Sequence, residues 1–282
     1  MVRAFAIPLV AGALTLGSVD RLGSDRTQFQ ADGYTVLTAD LHVHAFPGDG
    51  VLPAWELRKE AARRGLDVIA ITNHNQSIAA RLPAGGGGRL PLVIPGQEIT
   101  TPTFHLIAIG IRRAIDWRLP LRDAIAAVHA AGGVAIAAHP VKKYWRMAED
   151  DSGLDLLDGA EAVVKSGVRF DRGRLEIREF YERTRRRNPD LAPIGSSDFH
   201  TIAPLGACRT YLFVRHVSEE GVLEAIRNGR TVAVGEGNRM VGDSRLVDRL
   251  RGVVEAPSAP GPLARLAALL ALAGLALVVC VR

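Results

Sequence analysis

The sequence predicts an α/β fold, on two observations. Short apolar runs alternate with amphipathic helical stretches along most of the chain, and side chains able to bind metal gather at the ends of those runs. Strand alternating with helix argues for a largely parallel sheet. The 282 residues, 48% of them hydrophobic, are enough to bury a core without disulfides. Barrel-like α/β units often reach roughly 200–250 residues as one domain, so one large domain with short appendages fits the length.

A strand-like segment runs into Asp40-Leu41-His42-Val43-His44. Residues 53–64 then carry helical periodicity, with Pro53 suited to the first turn and Gly65 to the C-terminal cap. Apolar runs of buried-strand type follow at 67–72, 92–95, 105–111, 134–138 and 191–194. Helical periodicity returns at 119–131, closed by Gly132, then at 174–187 and at 218–228, where Ser218-Glu219-Glu220 makes an acidic helix start. The run Gly85 to Gly88 lacks the Lys-Ser/Thr that follows a phosphate-cradling loop, and reads as a connection.

Both ends are apolar. Residues 4–19 carry no charge apart from what precedes them at Arg3, so 1–20 is expected to be a signal peptide or N-terminal membrane anchor. At the other end 266–281 is uncharged and closed by Arg282. Extended to 262–282 it is expected to be a transmembrane helix, since about 20 apolar residues span a bilayer, with a buried C-terminal helix as the alternative. Between the ends lie an expected central domain at 34–240 and a linker at 241–261, which contains Ser258-Ala259-Pro260-Gly261. These segments predict membrane association. Arg3 and Arg282 favour a domain outside the cytoplasm, whereas Arg21, Arg26, Arg249 and Arg251 pull the other way.

The formal net charge is +5 and the pI about 9.6. That balance suits an anionic partner or a membrane surface. Runs such as Arg185-Arg186-Arg187 read as solvated helix faces, and aromatics, at 5%, do not interleave with them as a nucleic-acid surface would require. The two cysteines, Cys208 and Cys280, lie in unlike contexts and form neither a disulfide framework nor a thiolate site. Any metal must therefore be held by nitrogen and oxygen.

Six of the eight histidines lie at the ends of apolar runs. His42 and His44 are spaced i, i+2, which in an extended chain points both to one side. Asp198 and His200 repeat that spacing with mixed ligands. His74 and His139 each follow an apolar run, His105 opens one, and Glu98 and Asp49 lie close by in sequence. Active sites of α/β sheets and barrels sit beyond the carboxyl ends of the strands, where these residues fall. His129, within a helix, and His216, ahead of one, read as ordinary histidines.

The stretches 40–44 with Asp49-Gly50, 69–75, 95–101, 105–111, 137–140 and 195–200 resemble the polymerase and histidinol phosphatase (PHP) family of metal-dependent hydrolases. The resemblance covers about residues 36–235. It implies a distorted (β/α)7 barrel and two or three divalent ions. Carried over by motif, His42, His44, Glu98 and Asp198 would hold one ion, and Asp49, His74 and His200 a second. Glu98 would bridge to a third, held with His105 and His139. One departure is Asn73, where the family motif usually has Asp.

Imidazoles and carboxylates without thiolate suit Zn²⁺, Mn²⁺ or Fe²⁺. Paired ions that share a water deprotonate it near neutral pH and clamp the oxygens of an in-line displacement. The expected activity is a phosphoesterase on nucleotides or oligonucleotide ends, resembling a 5′–3′ exonuclease, with Lys142 and Lys143 reaching the substrate anion. The same chemistry would serve a carboxylic or carbamate ester hydrolase. A non-catalytic metal-binding membrane module is the third reading.

Overall fold

The computed structural model describes residues 28–81, 91–146, 153–164, 171–200 and 204–251. The expectations for 1–20, 262–282 and the Gly85 to Gly88 run lie outside them. Among the described residues no helix is long and apolar enough to cross a membrane.

The chain opens with β1 (Phe29–Ala31), which turns at Asp32-Gly33 into antiparallel pairing with β2 (Tyr34–Val43). Both turn residues have positive φ, 51° and 81°, the conformation that a tight two-residue hairpin requires. Then follow α1 (Ala54–Arg63), β3 (Val68–Ile71), α2 (Ile78–Arg81), β4 (Leu92–Thr100), β5 (His105–Ile109), α3 (Leu121–Ala130), β6 (Val134–Ala137), β7 (Gly159–Val164), α4 (Asp171–Arg187) and β8 (Ala192–Ser196). β9 (Arg209–Val214), α5 (Glu219–Arg227), β10 (Thr231–Val234), β11 (Met240–Gly242) and α6 (Ser244–Leu250) complete it.

Strands β2 to β8 neighbour one another in chain order. A parallel bridge from Val43 to Phe199, just past β8, brings the last of the seven back to the first. The result is a nearly closed, distorted barrel, as the resemblance implied. β9, β10 and β11 extend the sheet antiparallel from the other side of β2.

One strand departs from the parallel expectation. β5 runs antiparallel to both β4 and β6. Only residues 101–104 separate it from β4, too few for the crossover of a dozen or so residues that parallel neighbours need. The hairpin has a useful effect. Thr100 pairs with His105, so the start of β5 lies at the same end of the barrel as the end of β4.

The stretch 241–251, expected as the start of a linker, is instead folded. β11 pairs with β10, and Leu250 is buried in a cluster with Val232 and Val234, against which Leu246 and Val247 pack. Their apolar spacing puts one helix face on the sheet extension. The strand β7 was not legible in advance, because Glu161 interrupts the apolar run of Gly-Ala-Glu-Ala-Val-Val.

Leu37, Ala39, Leu41, Val68, Ala70, Ile94, Ile107, Ile136 and Ile194 pack together with Val222 and Ile226 of α5. On the helical side, α1 covers Ile69 and Ile71, while α3 and α4 cover Leu106, Ala135 and Ala160. Between Asp40 and Val43 the register with β3 slips by one residue, a bulge. It lets Leu41 stay in the core while His42 is re-aimed, a common use of bulges beside functional sites. A second slip follows Glu161 in β7.

Candidate metal centre

All seven barrel strands deliver a polar side chain to one end of the barrel. His42 and His44 come from the end of β2, His74 follows β3, and Glu98 lies in β4. His105 opens β5, His139 follows β6, Glu161 lies in β7, and Asp198 and His200 follow β8. Asp49 comes from the loop after β2.

The nine residues singled out in the sequence fall into three groups whose ligand atoms lie within 4.8 Å of one another. They are His42/His44/Glu98/Asp198, His44/Asp49/His74/His200 and Glu98/His105/His139. His44 belongs to two groups and Glu98 to two. In the first, His42 Nε2 lies 3.1 Å from His44 Nε2, 3.2 Å from Asp198 Oδ1 and 3.3 Å from Glu98 Oε2. In the second, Asp49 contacts His44 Nδ1 at 3.0 Å, His200 Nε2 at 3.1 Å and His74 Nε2 at 3.2 Å. In the third, Glu98 Oε1 lies 2.8 Å from His105 Nδ1 and 3.2 Å from His139 Nε2.

The donor set passes a direct test of fit to divalent ions. Glu98 Oε2, Asp198 Oδ1 and His139 Nδ1 are buried and have no hydrogen-bond partner, although Glu98 Oε2 has imidazole nitrogens within 3.3 Å. A buried carboxylate oxygen without a hydrogen bond costs about 1–3 kcal/mol or more. An ion held by the oxygens of Glu98 and Asp198 would remove that cost. No sulfur takes part, which suits Zn²⁺, Mn²⁺ or Fe²⁺.

The crowding shapes proton affinities. Burial opposes the charge on His44, but the close carboxylates of Asp198, Asp49 and Glu98 outweigh it and raise the imidazole to about 10. His42 is raised in the same way, against burial, by the charges of Asp198, Glu161 and Glu98. Burial would raise Asp198 and Glu98, yet neighbouring imidazoles hold both below the carboxylate range. The cluster thus stores protons that a metal ion would displace.

Sequence reasoning missed three residues that build this site. Glu161 is fully buried; its Oε1 accepts from His42 Nδ1 at 2.9 Å and from Ser196 Oγ, and its Oε2 accepts from the backbone N–H of His139. It therefore fixes which nitrogen of His42 faces the first group. Asp40 accepts from Ser197 N and Oγ at 3.1 and 2.5 Å and from Gly206 N at 2.8 Å, tying the end of β2 to the loop that carries Asp198. Burial pushes Asp40 up to about 6 against those hydrogen bonds. Tyr144 places its ring 4.8 Å from that of His105 and 4.9 Å from that of His139. A lone carboxylate inside an apolar run was the available signal for Glu161, since a charge is almost never buried unless partnered.

The backbone is strained where these donor residues sit. His139 and Asp198 hold φ of 24° and 50°, and Asn75, next to His74, holds 49°. Such conformations in non-glycine residues cluster at functional sites. Asn75 is clamped by Thr100, donating to its carbonyl at 2.9 Å and accepting from its N–H at 2.8 Å.

The side chain of Asn73 does not hydrogen-bond to His74. Its amide holds the loop that carries Asp49: Oδ1 accepts from Ala45 N at 2.8 Å, and Nδ2 donates to the carbonyls of Ala45 at 2.6 Å and Pro47 at 3.1 Å. Gly48 is needed beneath it, since a Cβ there would fall 1.9 Å from Asn73 Nδ2. Lys142 and Lys143 are exposed, and Lys143 Nζ donates to the hydroxyl of Tyr144 at 3.0 Å. His129 pairs with Asp158 at 2.8 Å and His216 is exposed; both lie outside the three groups.

A seven-stranded barrel with three histidine–carboxylate groups at one end defines a class of metal-centred α/β barrels. Comparison with known proteins narrows the class. The PHP-associated family model matches residues 183–231. The uncharacterized protein MJ1587 of Methanocaldococcus jannaschii is 30% identical over 154 residues, which is 47% of this chain and 86% of the relative. A two-domain protein of Bacteroides vulgatus containing a predicted PHP-like metal-dependent phosphoesterase superposes with a TM-score of 0.64 at 23% identity, over 81% of this chain and 74% of its own. PsfC of Pseudomonas syringae superposes with a TM-score of 0.50 at 16% identity, over 86% of this chain and 99% of its own. The chain belongs to the PHP family. Membership and the three donor groups together support a metal-dependent hydrolase.

Proposed function

We propose that the chain is a metal-dependent phosphoesterase that hydrolyses phosphate esters, with nucleotides or oligonucleotide ends as the natural form. The observation that carries this reading is the sharing of ligands: His44 joins the first group to the second, and Glu98 joins the first to the third. Shared ligands would hold ions close enough to act on one phosphoryl group. When bound, the ions would supply an activated water and neutralise the oxygens of an in-line displacement.

The chain's own residues set the rest. His42, His44, Glu98 and Asp198 would hold one ion, Asp49, His74 and His200 a second, and His105 and His139, with Glu98, a third. Three of these nine are carboxylates and Glu161 stands directly behind His42, so a pocket loaded with three divalent ions stays net positive and favours a dianion over a neutral ester. Glu161 orients His42 and excludes the wrong tautomer. Phe46 and Trp55, 59% and 47% exposed, flank the loop that carries Asp49 and offer apolar surface for the part of the substrate beyond the phosphate. The reading includes tethering at a membrane through 1–20 and 262–282, with the domain outside the cytoplasm, carried by the apolar sequence of those segments; cell fractionation with protease accessibility tests it.

The reaction is tested by metal analysis of the purified protein, followed by assay of Mn²⁺- and Zn²⁺-loaded samples on phosphomonoesters, phosphodiesters and neutral aryl carbamates. Two or three ions per chain and a preference for phosphate esters are expected. Cleavage of aryl carbamates at least as fast as any phosphate ester would replace the phosphate reading with a carbonyl hydrolase.

A further inference from the structure

Resting on that reading of the site, we infer that Tyr144, held by Lys143, is a substrate-contacting residue that donates a hydrogen bond to an anionic phosphoryl oxygen beside His105 and His139. The placement is built rather than incidental. Trp145 is buried, its indole N–H donates to the carbonyl of Ala138 at 2.8 Å, and its ring packs against Phe104 and Phe180. On either side of it, Tyr144 N donates to the carbonyl of Val141 at 2.9 Å and Arg146 N to that of Thr103 at 2.9 Å. The turn is therefore fixed to the core, and Tyr144 is presented against the two imidazoles of the third group.

The argument for a ligand comes from proton bookkeeping at one oxygen. The Lys143 ammonium can only donate, and it does so to the Tyr144 phenol oxygen at 3.0 Å, lying 4.7 Å from the ring centroid. The phenol must then direct its own hydrogen elsewhere. Among the described residues no acceptor takes it. An O–H polarised by an ammonium, next to the imidazoles of His105 and His139, fits an anionic oxygen. The exposed Lys143 would thus act on substrate through Tyr144, not by reaching it.

The test uses the full-length, metal-loaded protein and its Tyr144→Phe, Lys143→Met and doubly substituted variants. Metal content is measured by mass spectrometry, inorganic phosphate is the binding probe in calorimetry, and kcat and KM are taken for a phosphomonoester. Tyr144→Phe is expected to keep the parent metal content while weakening phosphate binding about tenfold, the loss typical of one hydrogen bond to a charged group. Lys143→Met should weaken it severalfold alone and add almost nothing in the Tyr144→Phe background. Three results would overturn the inference: phosphate binding unchanged in Tyr144→Phe, loss of metal in that variant, or fully additive losses in the double variant. A parent that binds phosphate through Tyr144 but turns over no phosphate ester would refute the proposed reaction while upholding the anion contact.

Discussion

Glu161 provides the sharpest test of how this centre is held together. Its two oxygens accept from three donors, His42 Nδ1 at 2.9 Å, the Ser196 hydroxyl and the His139 backbone N–H, and its burial is complete. Glu161→Gln keeps the shape and replaces one acceptor with an NH₂. If the NH₂ takes the Oε2 place it faces the His139 N–H, donor against donor. If it takes the Oε1 place it faces His42 Nδ1–H, and only Ser196 can turn to accommodate it. Either way one buried donor loses its acceptor, at a cost of about 1–3 kcal/mol. Loss of an outer partner of a metal-binding histidine typically costs 10–100-fold in affinity, or about 1.4–2.8 kcal/mol at 1.4 kcal/mol per decade. The two routes agree. Competition against a chromophoric chelator should therefore show Mn²⁺ or Zn²⁺ bound at least tenfold more weakly by Glu161→Gln, with the fold retained by circular dichroism. An affinity within twofold of the parent would refute the assignment of Glu161 as the residue that orients His42.

Four further outcomes follow from the same geometry. Glu98→Gln should lose more than one ion per chain by metal analysis and its turnover with them, while His129→Ala and His216→Ala keep both; equal effects at the three positions would contradict the division. Because His44 is raised to about 10 in the metal-free cluster, metal uptake at pH 7 should release protons, and affinity should rise with pH, seen by calorimetry in buffers of different ionisation enthalpy. A raised folded-state value also means that the proton's stabilisation is complete below about 6.5 and is lost as pH rises through about 10. The chelator-treated protein should accordingly lose thermal stability across that window, and the metal-loaded protein much less. Asn73→Asp should remove the Nδ2 donor from the Ala45 carbonyl and from the Pro47 carbonyl, which keeps Gln76 Nε2 at 3.0 Å, and bury an anion beside them, costing on the order of 2–3 kcal/mol and weakening the group around Asp49, as read by chemical denaturation and metal titration.

The convergence of the donor side chains was legible because strand ends impose a pattern. His42 and His44, or Asp198 and His200, sit two apart after apolar runs, and that spacing survives in the three-dimensional site. The alternation of strand and helix was legible too, down to α1, α3, α4 and α5, while the barrel came from the resemblance to the PHP family. The supporting residues were not, for physical reasons. Glu161 looks like a surface charge until two neighbouring strands close over it, and its presence broke the run that would have revealed β7. The antiparallel β5 depended on the length of a connection, four residues, more than on the composition of the strand. The fold of 241–251 depended on Leu246, Val247 and Leu250 finding a sheet extension that no local pattern announces.

Asn73 shows how a departure from a family motif can be read once the contacts are known. In the sequence Asn73 stands where the family motif usually has a carboxylate before the histidine. In the fold the side chain at 73 instead faces the backbone of the loop 45–47, donating to the carbonyls of Ala45 and, together with Gln76, Pro47, and accepting from the N–H of Ala45. Only an amide meets all three demands at once; a carboxylate meets one. Gly48, whose missing Cβ leaves room for the amide nitrogen, completes the fit. The consequence falls on Asp49, which lies one residue beyond Gly48 and contacts three imidazoles. Its position is therefore set by a neutral clamp, and the anionic character of the second group comes from Asp49 itself.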